Sequence, residues 1–168
     1  QGVDAVIFSD APQLALFHPE IYANVVTSVI ADKTPQLLLM GHTYIGMDLA
    51  PTLAAKLNVP SVTNCVDVQL QKDGVIATRV TYSGKIHTKT SMTGSQCFIV
   101  TLQKGAVKAE ELVANPNCAV KRVEASFSED NSRIKALRVE EMEMGEVDIA
   151  KSEIVVAGGR GVGDEERF

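Results

Sequence analysis

Apolar and polar positions alternate in two distinct rhythms along this chain. Residues 4–8, Asp-Ala-Val-Ile-Phe, form a short apolar run, expected to be a buried strand, and Ser9-Asp10-Ala11-Pro12 breaks it. Over residues 20–31 the rhythm changes. Ile21, Val25 and Val29 recur every four residues with Tyr22, Val26 and Ile30 beside them, which predicts a helix opened by Pro19 and stopped by Lys33-Thr34-Pro35. Gln36-Leu-Leu-Leu-Met40 is apolar throughout and runs into Gly41, the pattern of a parallel strand covered on both faces. A second helix follows, with Ile45, Leu49, Leu53 and Leu57 at spacing four. Pro51 lies inside it, so it starts near Asp48, or near Tyr44 with a bend at the proline.

Strand, helix, strand, helix predicts a βαβα unit with right-handed crossovers. The second half alternates with period two instead. Strands are expected at 61–69, 74–82, 85–92, 96–102 and 120–127, with 75–82 and 85–92 as a hairpin about Ser83-Gly84. The fold class is therefore α/β: a Rossmann-like open sheet in a three-layer arrangement, parallel at the start with antiparallel strands added. Residues 128–132 are a polar break, and 133–153 are highly charged with a weak apolar pattern (Ile134, Leu137, Val139, Met142, Met144), as in an arm or linker. Ile154-Val-Val-Ala157 then opens a new buried strand that runs into Gly158-Gly159-Arg160-Gly161-Val162-Gly163. The expected organisation is a first domain over 1–127, a linker over 128–153 and the start of a further domain over 154–168. A chain opening on Gln1 and a strand is expected to extend upstream.

A net charge of −5 disfavours a general nucleic-acid role, which needs a basic surface. No apolar run is long enough to span a membrane, so no membrane insertion is expected. Cys65, Cys97 and Cys118 are odd in number, far apart and without a CxxC pair, which argues against a disulfide framework or a zinc site and fits a reducing, cytoplasmic compartment. Each is expected to be a small buried hydrophobe. His18, His42 and His87 share no metal-ligand spacing, so no metal site is expected. His42 follows a strand end and precedes a helix, where ligands often sit in α/β sheets, though a plain loop histidine reads the same. Arg79, Lys85, His87 and Lys89 could share one face of the hairpin, where a basic partner contact is conceivable but a solvated strand face is the better reading. No nucleophile has a base in support, so no catalytic residue is assigned.

The strongest chemical signal is the glycine turn. A strand ending in glycines brings backbone N–H groups close to a phosphate or a ring, and an arginine within it adds a planar donor fork. The turn lacks the spacing of a dinucleotide fingerprint and the lysine of a phosphate loop, and taken alone it equally fits a plain strand-to-helix turn.

Three blocks together resemble the alpha subunits of electron-transfer flavoproteins, including their nitrogen-fixation homologues. Ala157-Gly158-Gly159-Arg160-Gly161 with Glu166-Arg167-Phe168 is similar to the family's (S/A)GGRG…Glu-Asn-Phe, with arginine in the asparagine position. Residues 42–57 resemble its T-x-x-G-x-D-L-A-P-R-L-A-A-x-L helix, Pro51 included, with Thr52 in place of arginine. Thr78-Arg79-Val80-Thr81-Tyr82-Ser83-Gly84-Lys85 is similar to its R-P-x-Y/F-x-G hairpin, without the proline. The resemblance implies an N-terminal domain without its usual first strand and helix. It also implies a beta-subunit partner, a redox-partner dehydrogenase and FAD held by a separate C-terminal domain. Arg160 would contact the flavin, with Gly159 and Gly161 giving close backbone approach, and this chain alone would hold FAD weakly or not at all. The competing reading is a stand-alone adenine-nucleotide-binding or regulatory module. A small hydrolase has still less in its favour.

Overall fold

A computed structural model describes residues 2–107, 117–124, 134, 137–140, 149 and 152–163. The chain divides into two compact units, residues 1–137 and 138–168. The described strands and α-helices lie in the first, in the order β1 (Ala5–Phe8), α1 (Pro19–Lys33), β2 (Leu37–Gly41), α2 (Tyr44–Leu57), β3 (Ser61–Gln71), β4 (Gly74–Thr81), β5 (Ile86–Thr93), β6 (Phe98–Leu102) and β7 (Ala119–Arg122).

Pro19 occupies the first turn of α1 as expected, and His18 caps it. The His18 ring is 3% exposed. Its Nε2–H donates to the Ile134 carbonyl at 2.6 Å, which leaves the Nδ1 lone pair to accept from the Ile21 N–H at 3.5 Å. The helix ends at Thr34, which adopts a left-handed φ of 43° and donates its N–H to the Ile30 carbonyl. Thr43 caps α2 by accepting from the Gly46 N–H at 3.2 Å. Of the two possible starts for α2, the structure takes Tyr44 and carries Pro51 inside the helix.

Five strands form the main sheet in the order β2-β6-β3-β4-β5. β6 lies parallel between β2 and β3, while β3, β4 and β5 run antiparallel. The expected α/β, Rossmann-like, three-layer class holds. Leu38, Met40 and Ile99 point to the helices and pack with Ala23, Leu49, Ala50 and Leu53. Leu53 is fully buried, worth about 1.5–3 kcal/mol for such a side chain. The opposite face gathers Phe98, Val100, Val62, Cys65, Val75, Ala77 and Met92.

Two bulges in β3 make that second core possible. Val62 pairs with Val100 and Cys65 with Leu102, so β3 carries one extra residue there, with Asn64 at φ 57°. A second register shift falls between Cys65 and Asp67 against β4. Bulges bend a strand and increase its twist. Each also reverses which residues face inward, which puts Cys65 and then Val68 on the same side as Val62.

The remaining strands depart from expectation. β1 pairs with β7 in a separate two-stranded parallel sheet, and three of its four residues are exposed rather than buried. β7 ends at Arg122, with Val123 and Glu124 outside it, and residues 125–127 of the expected strand lie outside the described residues. Among the described residues β2 is an edge strand, and it is not covered there as an interior strand would be: Leu39 is 48% exposed. Most of the expected linker over 128–153 also lies outside the described residues.

Candidate functional site

The glycine turn differs from the expected buried strand. Ile154–Ala157 pairs with no strand among the described residues, and Ile154, Val155 and Val156 are 84%, 56% and 79% exposed. A buried strand needs neighbours that supply both a ladder and a cover, and the described residues provide neither here. Gly159 is extended and leads into a single 3-10 turn, Arg160–Val162, closed by Gly163 at φ 90°. Glycine's conformational freedom is therefore required at Gly163. A Cβ at Gly159 or Gly161 would meet nothing within 4 Å, and Arg160 is exposed. The three candidate residues are thus consecutive in an exposed turn.

The junction between β2 and α2 serves packing. The first turn of α2 lies against the end of β2, and a Cβ at Gly46 would fall 2.0 Å from the Gly41 carbonyl oxygen. That glycine lets the helix approach the strand; the space a phosphate would need is filled by protein. His42 Nδ1 lies 2.9 Å from Thr101 Oγ1, which also accepts from the Asn64 N–H at 2.9 Å, and the His42 N–H donates to the Leu102 carbonyl at 2.7 Å. Thr101 is fully buried. The histidine therefore ties the ends of β2, β6 and β3 together, which accounts for it as a structural residue. Asp48 is exposed in the helix, and its carbonyl accepts from the Thr52 hydroxyl.

The basic hairpin face is not formed. Val75 pairs with Met92, Ala77 with Thr90 and Arg79 with Thr88, so Arg79 falls on the same side of the ladder as Val75 and Ala77, at its exposed end. His87 and Lys89 pair with Val80 and Thr78 on the opposite side, together with Asp67 and Gln69 of β3. Side chains alternate strictly across a strand, and the hairpin register separates the charges.

Cys65 and Cys97 are buried, and Cys118 is half-buried. Burial pushes the Cys65 thiol up despite the opposing charge of Arg79, and it does the same to Cys97 against a backbone hydrogen bond from Phe98. Both are held as neutral, unreactive thiols at pH 7. Among the described residues, no group of His, Cys, Asp and Glu side chains could hold a metal ion, and no helix is long and apolar enough to cross a membrane.

Comparison with known proteins matches residues 1–128 to the electron transfer flavoprotein domain. Protein FixB of Clostridium saccharobutylicum is 30% identical over 169 residues, covering 99% of this chain and 50% of that protein. The electron transfer flavoprotein subunit alpha of Bacillus subtilis (strain 168) is 30% identical over 167 residues, again 99% of this chain and 50% of the relative. Lactate dehydrogenase (NAD(+),ferredoxin) subunit LctC of Acetobacterium woodii is 29% identical over 162 residues, 96% of this chain and 38% of that subunit. The chain spans about half the length, or less, of these relatives. A domain match over three quarters of the sequence shows that the chain, with its α/β sheet, belongs to the electron transfer flavoprotein family.

Proposed function

We propose that this chain is part of an electron-transfer flavoprotein alpha subunit: its N-terminal α/β domain followed, from residue 154, by the start of the FAD-binding domain. Its role is that of scaffold and subunit-interaction domain in an electron carrier between dehydrogenases and an acceptor. The observation that carries this reading is the match to the family domain over residues 1–128, extended across nearly the whole chain by relatives named as alpha subunits. The partners are a beta subunit and a dehydrogenase, and the compartment is the cytoplasm.

The chemistry asked of this chain is recognition rather than bond-making. FAD supplies the redox chemistry in the complete complex. Arg160 offers its guanidinium to the flavin, and Gly159 and Gly161 keep side chains out of the approach. Residues 1–168 by themselves hold FAD weakly or not at all, because a ring bound on one side by one exposed turn stays open to water. The adenine-nucleotide alternative is weakened by Gly46, whose open side is taken by the Gly41 carbonyl.

The test is to express the full natural coding frame with its beta-type partner and record the absorbance spectrum. A flavin spectrum in the complex, shifted or weakened by Arg160→Ala, supports the reading. Stoichiometric flavin on residues 1–168 alone, or a flavin-free complex, refutes it.

A further inference from the structure

The loop joining β1 to α1 is braced against its own helix. It contains a 3-10 turn at Pro12–Leu14. The Tyr22 hydroxyl of α1 donates to the Leu14 carbonyl at 2.8 Å, and the Tyr22 ring meets Phe17 edge-on, with 5.0 Å between centroids. With the His18 cap, these contacts hold the loop from Leu14 to the start of the helix.

Phe8, Asp10 and His18 each hold a residue from the far end of the first unit. The Phe8 carbonyl accepts from the Val123 N–H at 2.9 Å, which carries the β1–β7 pairing one bond further. Asp10 pairs with Arg122 at 2.8 Å, an exposed ion pair of small energy. His18 Nε2–H donates to the Ile134 carbonyl at 2.6 Å. This last contact lies well beyond the end of β7 at Arg122 and just before Leu137, the last residue of the unit.

Burial makes the His18 contact the one that counts. The ring is 3% exposed, so its N–H depends on the carbonyl for a partner. The Ile134 side chain is 58% exposed, so apolar burial adds little to the hold. One imidazole thus performs two tasks. Nδ1 accepts from the Ile21 N–H and caps α1, while Nε2–H grips the main chain at Ile134.

We infer that the β1–α1 loop is a clasp for the outgoing polypeptide, closed by His18, so that the chain leaves the first unit beyond Ile134 rather than at the end of β7. The clasp sets how much chain remains between that unit and whatever follows, and tether length governs the effective concentration of a linked module. The inference goes beyond the proposed function and stands whether or not the chain serves a flavin.

Limited trypsin digestion of the full natural polypeptide, with the cuts mapped by mass spectrometry, tests it. Arg133 and Lys135 flank the held carbonyl, and both are trypsin sites. Two variants divide the work of the ring. An asparagine amide reaches about as far as Nδ1 and can cap α1, and a glutamine amide reaches about as far as Nε2 and can donate to Ile134. Cleavage after Arg133 and Lys135 is expected to be on the order of tenfold faster in His18→Asn than in the native chain, because cutting follows the population of the opened clasp. His18→Gln is expected to be cut there at close to the native rate, although its cap is the weaker one. Cleavage after Arg79, inside β4, reports global unfolding and should rise far less. Native rates at Arg133 and Lys135 in His18→Asn overturn the clasp, as does equally fast cutting of both variants. A rise matched by the same rise after Arg79 also overturns it and leaves His18 a helix cap alone.

Discussion

Alanine at position 46 tests whether that glycine exists to let α2 touch β2. The new Cβ would lie 2.0 Å from the Gly41 carbonyl oxygen and 3.2 Å from its carbon, where ordinary contact begins at 3.4 Å. Both obstructing atoms are backbone, so no rotamer change relieves them. The first turn of α2 must move off β2 by more than an ångström. Overpacking of this kind costs about 1–3 kcal/mol. The same movement strains the Thr43 cap on the Gly46 N–H, a contact worth about 1 kcal/mol. Alanine returns up to about 1 kcal/mol of helix propensity. The balance is a loss of about 1–3 kcal/mol, or roughly 2–12 °C in Tm for a chain of this size. Urea and thermal unfolding followed by circular dichroism measure it. Gly161→Ala is the control, since its Cβ meets nothing within 4 Å and its Tm should hardly change. A Gly46→Ala protein as stable as the parent would refute the packing argument.

Three further outcomes follow from the same geometry. Thr34→Gly should raise stability by about 1 kcal/mol in urea unfolding, because a β-branched residue at φ 43° is replaced by the one residue without a steric penalty there; a loss would show that the threonine makes a compensating contact. His18→Ala should lose about 1–2 kcal/mol by removing the cap of α1 and the hydrogen bond from the ring to the Ile134 carbonyl, with His18→Asn recovering part of the cap; a change within the error of the melt would count against it. Cys65 and Cys97 have thiol pKa values raised above 9.0, so their contribution to stability is complete below pH 9 and is lost as pH rises through the folded values. The urea midpoint should therefore fall more steeply above pH 9 in the native chain than in the Cys65→Ala/Cys97→Ala variant, and parallel pH profiles would contradict the assignment.

The βαβα opening is legible because its signals are local. Ile21, Val25 and Val29 mark one helix face, and Leu49 and Leu53 mark another that the structure buries. The place of β6 is not legible, since Phe98 pairs with Leu37 across most of the first unit and no nearby residue encodes that partner. The bulges of β3 had one signal, Asn64, a residue type that tolerates left-handed φ. The basic face failed on register. Tyr82 and Ser83 both take positive φ before Gly84, and the turn they make aligns Arg79 with Thr88. At the candidate site, the glycines and Arg160 are legible as a motif, but the strand before them is not formed, because strand structure depends on neighbours as much as on Ile154-Val-Val.

The pairing of β1 with β7 has a consequence for biogenesis. Ala5 meets Ala119, so the first described strand to leave the ribosome waits for the last one. The β4–β5 hairpin closes across a short turn and can form at once. Until β7 emerges, Val6 and Phe8 remain open to neighbouring nascent chains, and this is the interval in which a chaperone would matter most.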